Sequence, residues 1–568
     1  MSLTRSRHSI LAPALLLGVG SLCCTVALAQ AGSDCEQVSV PAGSGFDFTE
    51  DISRWGSRES FDLDSSQYLV RNIRINQLPI FDPDNPREDT RLFRWINRVH
   101  IPTRQQVIRH QLLFRKGDTI NSRMLSENER LLRQQKYASD ARIRVLNRCA
   151  QSVDLEVVTR EVWTLVPGFS FHTSGGDNAM DIGLRDSNAL GSGQRVSLFY
   201  SNDANRSTYK LAFENPNIGN THRVLKLQAD KSTDGYHYLA EYELPFYALD
   251  AQRAWKFGYE STREMLYQYR FGKRISEVDR TLDTAELSRG IASGLVNGVT
   301  TRLRYGLREE DYRYAAGSRY PSPALLPDNL HMIYPFLELE SIEDKYAVAY
   351  NISQIYRTED LLLGRSFLAS IGFAPNSGGR VILNGRYADT LLSRAKMLLQ
   401  WRADWRARWS PSAREWEDTR INANVDFHRG QTEHRTLYLG LSASKVINLN
   451  SSEQLSLGGS SGLRGFDSHY LNGDAMVKFT AEERMFRDYQ VLQLFRVGVA
   501  GFVDVGRVYG KSTWGAGRTF SNVGLGLRLA PSKTDEARII HIDLAYPLGS
   551  KIPGGKSMQL VVEARTSF

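Results

Sequence analysis

Cysteine is scarce in this chain: 4 in 568 residues, too few to knit a scaffold by disulfides. Long apolar runs are scarce too, and a mean hydropathy of −0.37 excludes a bundle of membrane-spanning helices. The 11 histidines show no His-x-x-x-His pair and no cysteine at metal-ligand spacing, so neither a metal nor another cofactor is expected. Charge of one sign is not dominant either. Lys and Arg number 71 against 63 Asp and Glu, a formal excess of +8. No nucleic-acid module accompanies it, and no nucleic-acid partner is expected. With 41% hydrophobic and 24% charged residues, wholesale disorder is excluded as well.

What is plentiful points to β-structure: 45 Gly, 25 Tyr and 24 Phe. The first residues read as an export signal. Arg5 and Arg7 precede an apolar stretch from Ile10 to Val19, and Ala27-Leu28-Ala29 supplies small residues for cleavage after Ala29. Bulky Leu22 before Cys23 argues against a lipoprotein. Residues 1–29 are therefore assigned to a signal peptide. Cys35 and Cys149 remain in an oxidising compartment, where they either pair or stand as two unrelated small residues.

Residues 30–66 lack sustained periodicity and read as a linker or loosely held extension. From 67 to 162 the pattern is that of a small α+β domain. Tyr68–Ile75 predicts a strand, and a polar stretch rich in Asp, Pro and Arg runs to His100. Pro102 and Thr103 open a helix carrying Ile108 and Leu112. A second helix buries Leu125 and Leu132 and leaves Glu127, Glu129, Arg130 and Arg133 in solvent. Two alternating segments follow, through Ile143 and Val145 and through Val153, Leu155 and Val157. Strand, helix, helix, strand, strand predicts two layers, with the helices on one sheet face.

Residues 163–568 alternate at period two. Between 397 and 409 the odd positions are Met, Leu, Trp, Ala, Trp, Ala, Trp, while the even ones include Gln400, Arg402, Asp404, Arg406 and Arg408. A strand sends these sets to opposite faces, one aromatic and one charged. The same alternation recurs at Tyr209, Leu211 and Phe213, at Ile421 to Phe427, and at Leu437 to Leu441. Strands of ten or more residues with Trp or Tyr near their ends predict a transmembrane β-barrel with a hydrated, charged lumen. Roughly 400 residues at about 25 per strand and connection give about 16 strands, with surplus segments forming loop hairpins. The chain closes on Phe568, preceded at every second place by Thr566, Ala564, Val562, Leu560 and Met558. In an exported protein, such a terminal strand is the pattern read by the outer-membrane assembly machinery.

Three motifs stand in the last hundred or so residues: Gly462-Leu463-Arg464-Gly465-Phe466, Gly473 through Glu482, and Phe502-Val503-Asp504-Val505-Gly506. Together they resemble the motifs of the BamA/TamA superfamily of outer-membrane assembly and translocation proteins. The preceding domain resembles a polypeptide-transport-associated (POTRA) domain, with Gly117-Asp118 and Glu129-Arg130-x-Leu132-Arg133 in the expected places. The chain departs from the family pattern in having a single such domain, and in an insertion at about residues 79–98.

The resemblance implies an outer-membrane barrel with its N-terminal domain in the periplasm. That domain would capture unfolded outer-membrane or secreted polypeptides at a sheet edge. The barrel would then receive them at the seam between its first strand, near Phe169, and its last. Outer-membrane lipids and accessory envelope proteins are the other implied partners. The alternatives are a two-partner-type secretion pore for one specific partner and a non-transporting porin or surface antigen. The resemblance also implies a loop latch. Asp504 shares the inward register of Gly506, and Glu482 projects inward from the neighbouring strand. Arg464 can bond one carboxylate through its planar fork and reach the other. Gly465 would let the loop turn sharply and Phe466 would pack on the barrel wall. The plain alternative is three solvated charges in a charged lumen.

An enzyme is not expected. Gly458-Gly459-Ser460-Ser461-Gly462 fits Gly-x-Ser-x-Gly, but a nucleophile elbow needs a helix after it, whereas a strand is expected here. His428 and His541 read as lumen or rim residues.

Overall fold

The computed structural model describes residues 35–48, 55–56, 67–323, 326–349, 351–393, 396–432, 434–510, 517–535, 538–549 and 558–565. Residues 1–34, including the expected signal, lie outside the described residues.

The N-terminal part contains β1 (Cys35–Gln37), β2 (Trp55–Gly56), β3 (Tyr68–Leu78), α1 (Arg91–Val99), α2 (Gln105–Gln111), β4 (Thr119–Ile120), α3 (Ser122–Arg133), β5 (Ala138–Cys149) and β6 (Ser152–Glu161). Five strands form one sheet in the order β1-β5-β6-β3-β4, with β3 parallel to β6 and the other pairs antiparallel. The inward positions of the alternating strands, Val70, Ile143, Val145, Val153, Leu155 and Val157, meet Ile108, Leu125 and Leu132 of α2 and α3 in one core. Burying each such side chain contributes about 1.5–3 kcal/mol. Helix α3 starts at Asn121, whose side chain accepts from the Met124 N–H.

Two expectations need correction. The stretch before His100 is not merely polar: it holds α1, capped by Thr90, whose hydroxyl accepts from the Phe93 N–H. Phe93 stacks on Phe81 with ring centroids 4.0 Å apart. The insertion docks on the barrel, where Lys533 Nζ bonds Glu88 at 2.8 Å. The charged face of α3 is not solvated either, for Glu127, Glu129 and Arg130 are buried. Glu127 accepts the Leu249 N–H of a barrel turn, Arg133 pairs with Asp360, and Arg130 lies over the Tyr346 ring. Glu127, Arg130 and Arg133 thus meet the barrel, while Glu129 accepts the Ile143 N–H of the domain's own sheet, and a single amphipathic period cannot distinguish either from an exposed face.

The described part of the N-terminal extension is tied down rather than loose. Cys35 and Cys149 are disulfide-bonded and directly opposed on β1 and β5. The Val38 and Ser39 N–H groups both donate to the Leu146 carbonyl. Phe48 then packs with Leu78 and Val158 on the sheet, with Phe46 alongside. Farther on, β2 pairs with Val348 and Ala349 of the barrel part.

From Leu165–Ser174 to Gln559–Arg565 the chain forms a closed barrel of twenty antiparallel strands, not sixteen. The count was low because several connections are only two residues long. Gly175-Gly176, Phe271-Gly272 and Asn297-Gly298 each hold two consecutive positive-φ residues, the backbone of a type I′ hairpin turn. Two additional hairpins, at Tyr346–Ala349 with Glu359–Leu362 and at Leu455–Leu457 with Leu471–Gly473, belong to connections rather than to the wall. Alternate residues such as Phe169, Ile182, Leu198, Leu211, Phe257 and Leu525 form an exposed apolar belt around the outside. Closure gives every strand of the wall a neighbour on both sides, the arrangement that lets strands sit in lipid.

Two connections, one at each end of the barrel, fold into the lumen. At the end bearing the N-terminal part, residues 344–365 turn inward. Ile352 and Leu361 pack with Leu398, and Ile355 with Phe486, Ala530 and Ile539. Glu359 shapes this turn by accepting the N–H groups of Ile352, Ser353 and Gln354 at 2.8 to 3.2 Å.

Two outcomes follow from the N-terminal domain. The disulfide closes a loop with a sequence separation of 114. Replacing Cys35 and Cys149 by Ser should lower that domain's stability by about 2–4 kcal/mol. Amide exchange should show lost protection over residues 35–48 with an unchanged barrel. Separately, Arg71 bonds Asp154 and holds its carboxyl down at about 2. The ionised carboxylate therefore stabilises the domain above the ordinary aspartate range of about 4, and the contribution is lost as pH falls towards 2. Urea midpoints at pH 5 and 2.5 should converge in Asp154→Asn relative to the parent.

Candidate functional site

The far-end connection, residues 448–474, links the strands Arg435–Ile447 and Ala475–Val491 and folds back into the lumen. Its apolar residues explain why. Leu457, Leu463, Phe466, Tyr470 and Leu471 are buried together against Val508 and Phe520 of the wall, with Phe466 edge-on to Phe520 at 5.6 Å. Gly465 sits where an added Cβ would lie 2.7 Å from Asn522 Cβ and 3.1 Å from the Pro547 backbone. The chain turns tightly here, Phe466 N–H donating to the Leu463 carbonyl at 3.0 Å, and Gly465 also permits close approach to the wall. Gly506 likewise leaves room for Leu457 and Leu463.

This seating delivers Arg464 to the wall carboxylates. Nε and Nη2 of Arg464 make a parallel pair of bonds to Asp504, both 2.9 Å, while Nη1 reaches Glu482 at 3.1 Å. The guanidinium also lies 3.3 Å from the Phe502 ring centroid. All three charged groups are buried, so they are not the solvated charges of the plain alternative.

The structure adds members that sequence reasoning missed. Asp543 accepts from Arg464 Nη1 at 2.9 Å and also pairs with Arg528. Glu482 accepts from Arg484 at 3.1 Å and from Arg528 at 3.2 Å. Asn522 and Thr480 donate to Asp504. Three arginines thus face three carboxylates, a neutral set in which each carboxylate has more than one donor. Asp543 and Arg528 belong to later strands, and their inward register was the available signal. Arg484 also donates to the Ile352 carbonyl at 3.4 Å, joining the cluster to the inward turn from the opposite end. His428 and His541 are both buried. Ser460 lies in a 3-10 turn, Gly459–Ser461, which leads into irregular loop rather than the expected strand.

The same connection reaches the seam. The Ser468 N–H donates to the Gly175 carbonyl at 2.8 Å and its hydroxyl to Ser174 at 2.9 Å, beside the first strand. Gln559 of the last strand donates to Asp467 at 3.3 Å. Between those strands the ladder is short: among the described residues Val562 opposite Thr173 is its one pair. The next shortest ladders of the wall have seven. Val562 belongs to the terminal strand with Leu560 and Ala564, while Thr566 and Phe568 lie outside the described residues.

The sequence model of the haemolysin secretion/activation proteins ShlB/FhaC/HecB matches residues 415–529, a span that includes Arg464, Glu482 and Asp504. No curated protein matches the chain in sequence. Among solved structures, BamA from Haemophilus ducreyi lacking POTRA domains 1–3 is 13% identical. The match covers 87% of this chain and 83% of that one, with a TM-score of 0.36. CdiB from Acinetobacter baumannii is 15% identical over 87% and 73% of the two chains, with a TM-score of 0.40. CdiB from Escherichia coli is 13% identical over 87% and 75%, with a TM-score of 0.42.

Removing one partner of a buried charge cluster costs about 3–5 kcal/mol. Arg464→Ala should therefore release residues 448–474 to protease while the heat-modifiable barrel persists. Arg464→Lys should protect only partly, because a point charge cannot make the forked contact. Protection lost by Arg464→Ala and by Asp504→Ala should combine less than additively, since the two side chains act as one unit. Strictly additive losses would separate them.

Proposed function

We propose that this chain is an outer-membrane transporter of polypeptides, which takes unfolded chains at its N-terminal domain and passes them to the seam of its barrel for insertion or release. The observation that carries this reading is the seam itself. A wall whose other ladders hold at least seven pairs closes on Val562 and Thr173 alone among the described residues. Separating those strands breaks the fewest ladder bonds, and the edges so exposed are templates for an incoming strand. The loop held by Arg464 clasps the same seam from within through Asp467 and Ser468.

In this reading the N-terminal domain is a POTRA-like domain lying in the periplasm, with residues 67–162 as its body and 163–568 as the barrel. Its capture edge is assigned away from β5, where β1 pairs with residues 147–149 and the extension then runs on to the Val40 and Phe48 carbonyls, which bond Arg144 and Arg142. On the opposite side of the sheet β4 pairs with Tyr68 and Leu69, and from residue 71 onward that side of β3, away from β6, has no strand among the described residues. The Asn72–Ile73 stretch of β3 lines a cavity of about 940 Å³ with Arg109, His110, Leu112 and Phe114. An extended client fits there by adding a strand to β3.

The match of residues 415–529 to secretion/activation proteins favours a second reading, export of one specific partner through the lumen. The inward connections 344–365 and 448–474 weigh against a permanently open porin.

A cysteine pair at Thr173 and Val562 tests the seam. Oxidised, Thr173→Cys with Val562→Cys should block insertion of a client barrel into liposomes by at least tenfold, and reduction should restore it. Full insertion through the locked seam would overturn the proposal. Export of a partner that persists through the locked seam would support the second reading.

A further inference from the structure

Helix α1 presents three distinct faces. At about 100° per residue, Phe93, Ile96 and Asn97 share one side. That side is turned to the protein: Phe93 and Ile96 pack with Ile80, Phe81, Trp163 and Leu494, and Asn97 bonds both backbone groups of Phe81. Leu92, Trp95 and Val99 form a second stripe about 60° wide that faces outward. They are 58%, 55% and 44% exposed, and Ile101 just beyond the helix is 52% exposed. Arg91, Arg94 and Arg98 occupy the third side, bordering that stripe, and all are exposed.

Burial of an apolar stripe is the usual reason a short helix forms at all. Here a second stripe, with a tryptophan at its middle, is left uncovered by the protein. Its position supplies the cover. Trp163, against which the helix packs, lies two residues before the first barrel strand, Leu165–Ser174. Ile101 reaches the barrel turn at Gly191, within 3.5 Å of where a Cβ there would stand. Leu190 in that turn is 69% exposed, and Leu165 and Leu184 of the adjoining strands are exposed below it. The uncovered stripe therefore continues the lipid-facing belt of the wall around the rim of the barrel. A helix with an apolar edge, a Trp and an arginine face is built to lie in a membrane interface.

We propose that α1 is a membrane-surface anchor. Leu92, Trp95, Val99 and Ile101 enter the leaflet nearest the N-terminal domain, beside the seam, and Arg91, Arg94 and Arg98 bind the phosphate groups of anionic phospholipids there. The inference rests on the barrel spanning a membrane and not on what it transports. It gives the 79–98 insertion a second role beside the Glu88–Lys533 contact: it fixes the height of the N-terminal domain against the bilayer.

The test uses the full chain in phosphatidylethanolamine–phosphatidylglycerol vesicles whose acyl chains are brominated near the headgroup. Single labels at Leu92→Cys and Val99→Cys carry an environment-sensitive fluorophore, with Leu69→Cys, an exposed site on β3, as the reference. Native Cys35 and Cys149 are bonded and do not label, and Cys23 and Cys24 are replaced by Ser. Quenching at 92 and 99 should exceed that at 69 by at least twofold. Replacing all three arginines by Gln should reduce it to the level seen in vesicles of phosphatidylcholine. Quenching no greater than at Leu69 overturns the anchor, as does a label shielded from water but unresponsive to bromine, which would mark a protein-covered surface. Heat-modifiable migration of each variant checks that the barrel is intact, and the two label positions guard against one of them misfolding.

Discussion

The constraint on which the rest depends is the neutralisation of charge inside a closed wall. A carboxylate removed from water costs several kcal/mol unless cations and donors surround it, and Glu482, Asp504 and Asp543 project into one small volume. Two of the three arginines that answer them are anchored on wall strands. The third, Arg464, must be brought by a loop, so the electrostatics of the wall alone require that loop to be inside. Phe466 and Leu463 then make the visit favourable on apolar grounds as well. A connection that would otherwise be a solvent-exposed flap becomes part of the barrel's interior.

From this follows an unusual distribution of strength. Among the described residues the ladders of the wall are longest in its middle hairpins and shortest where it closes, and the loop that completes the charge cluster is the same loop that touches both closing strands. Arg484 extends the connection to the opposite end by bonding the Ile352 carbonyl of the inward turn. Cluster, seam clasp and inner turn are thus three parts of one bonded assembly, spanning most of the height of the lumen.

Much of this was legible in residues. Period-two alternation exposed the wall, since a strand between lipid and water must alternate. The register of Asp504 and Glu482 placed two carboxylates on one side before any coordinates were needed. Strand number was less accessible, because about 25 residues per strand and connection is too many where two-residue turns such as Asn297-Gly298 join the strands, and surplus alternating segments pass for loops. The charged face of α3 misled for another reason. Burial against a backbone N–H, a tyrosine ring and one carboxylate leaves the same pattern in a sequence as exposure to solvent. The inward turn at 344–365 carries no motif, and its course is set by Glu359 collecting three backbone donors, an arrangement no periodicity reveals. Asp543 and Arg528 were visible as inward residues but had no reason to be singled out until the fold brought them to Arg464.

The N-terminal extension has a mechanical meaning. Held at Cys35 by a covalent bond to β5 and farther on by the pairing of β2 with Val348 and Ala349, it ties the sheet of the N-terminal domain to the hairpin from which the inward turn departs. Such a tether is a drawstring. A swing of the domain away from the barrel therefore bears on that hairpin, and through it on the inward turn at the near end. Because Phe48 also packs on Leu78 and Val158, the hold on the sheet does not depend on the sulfur bond alone.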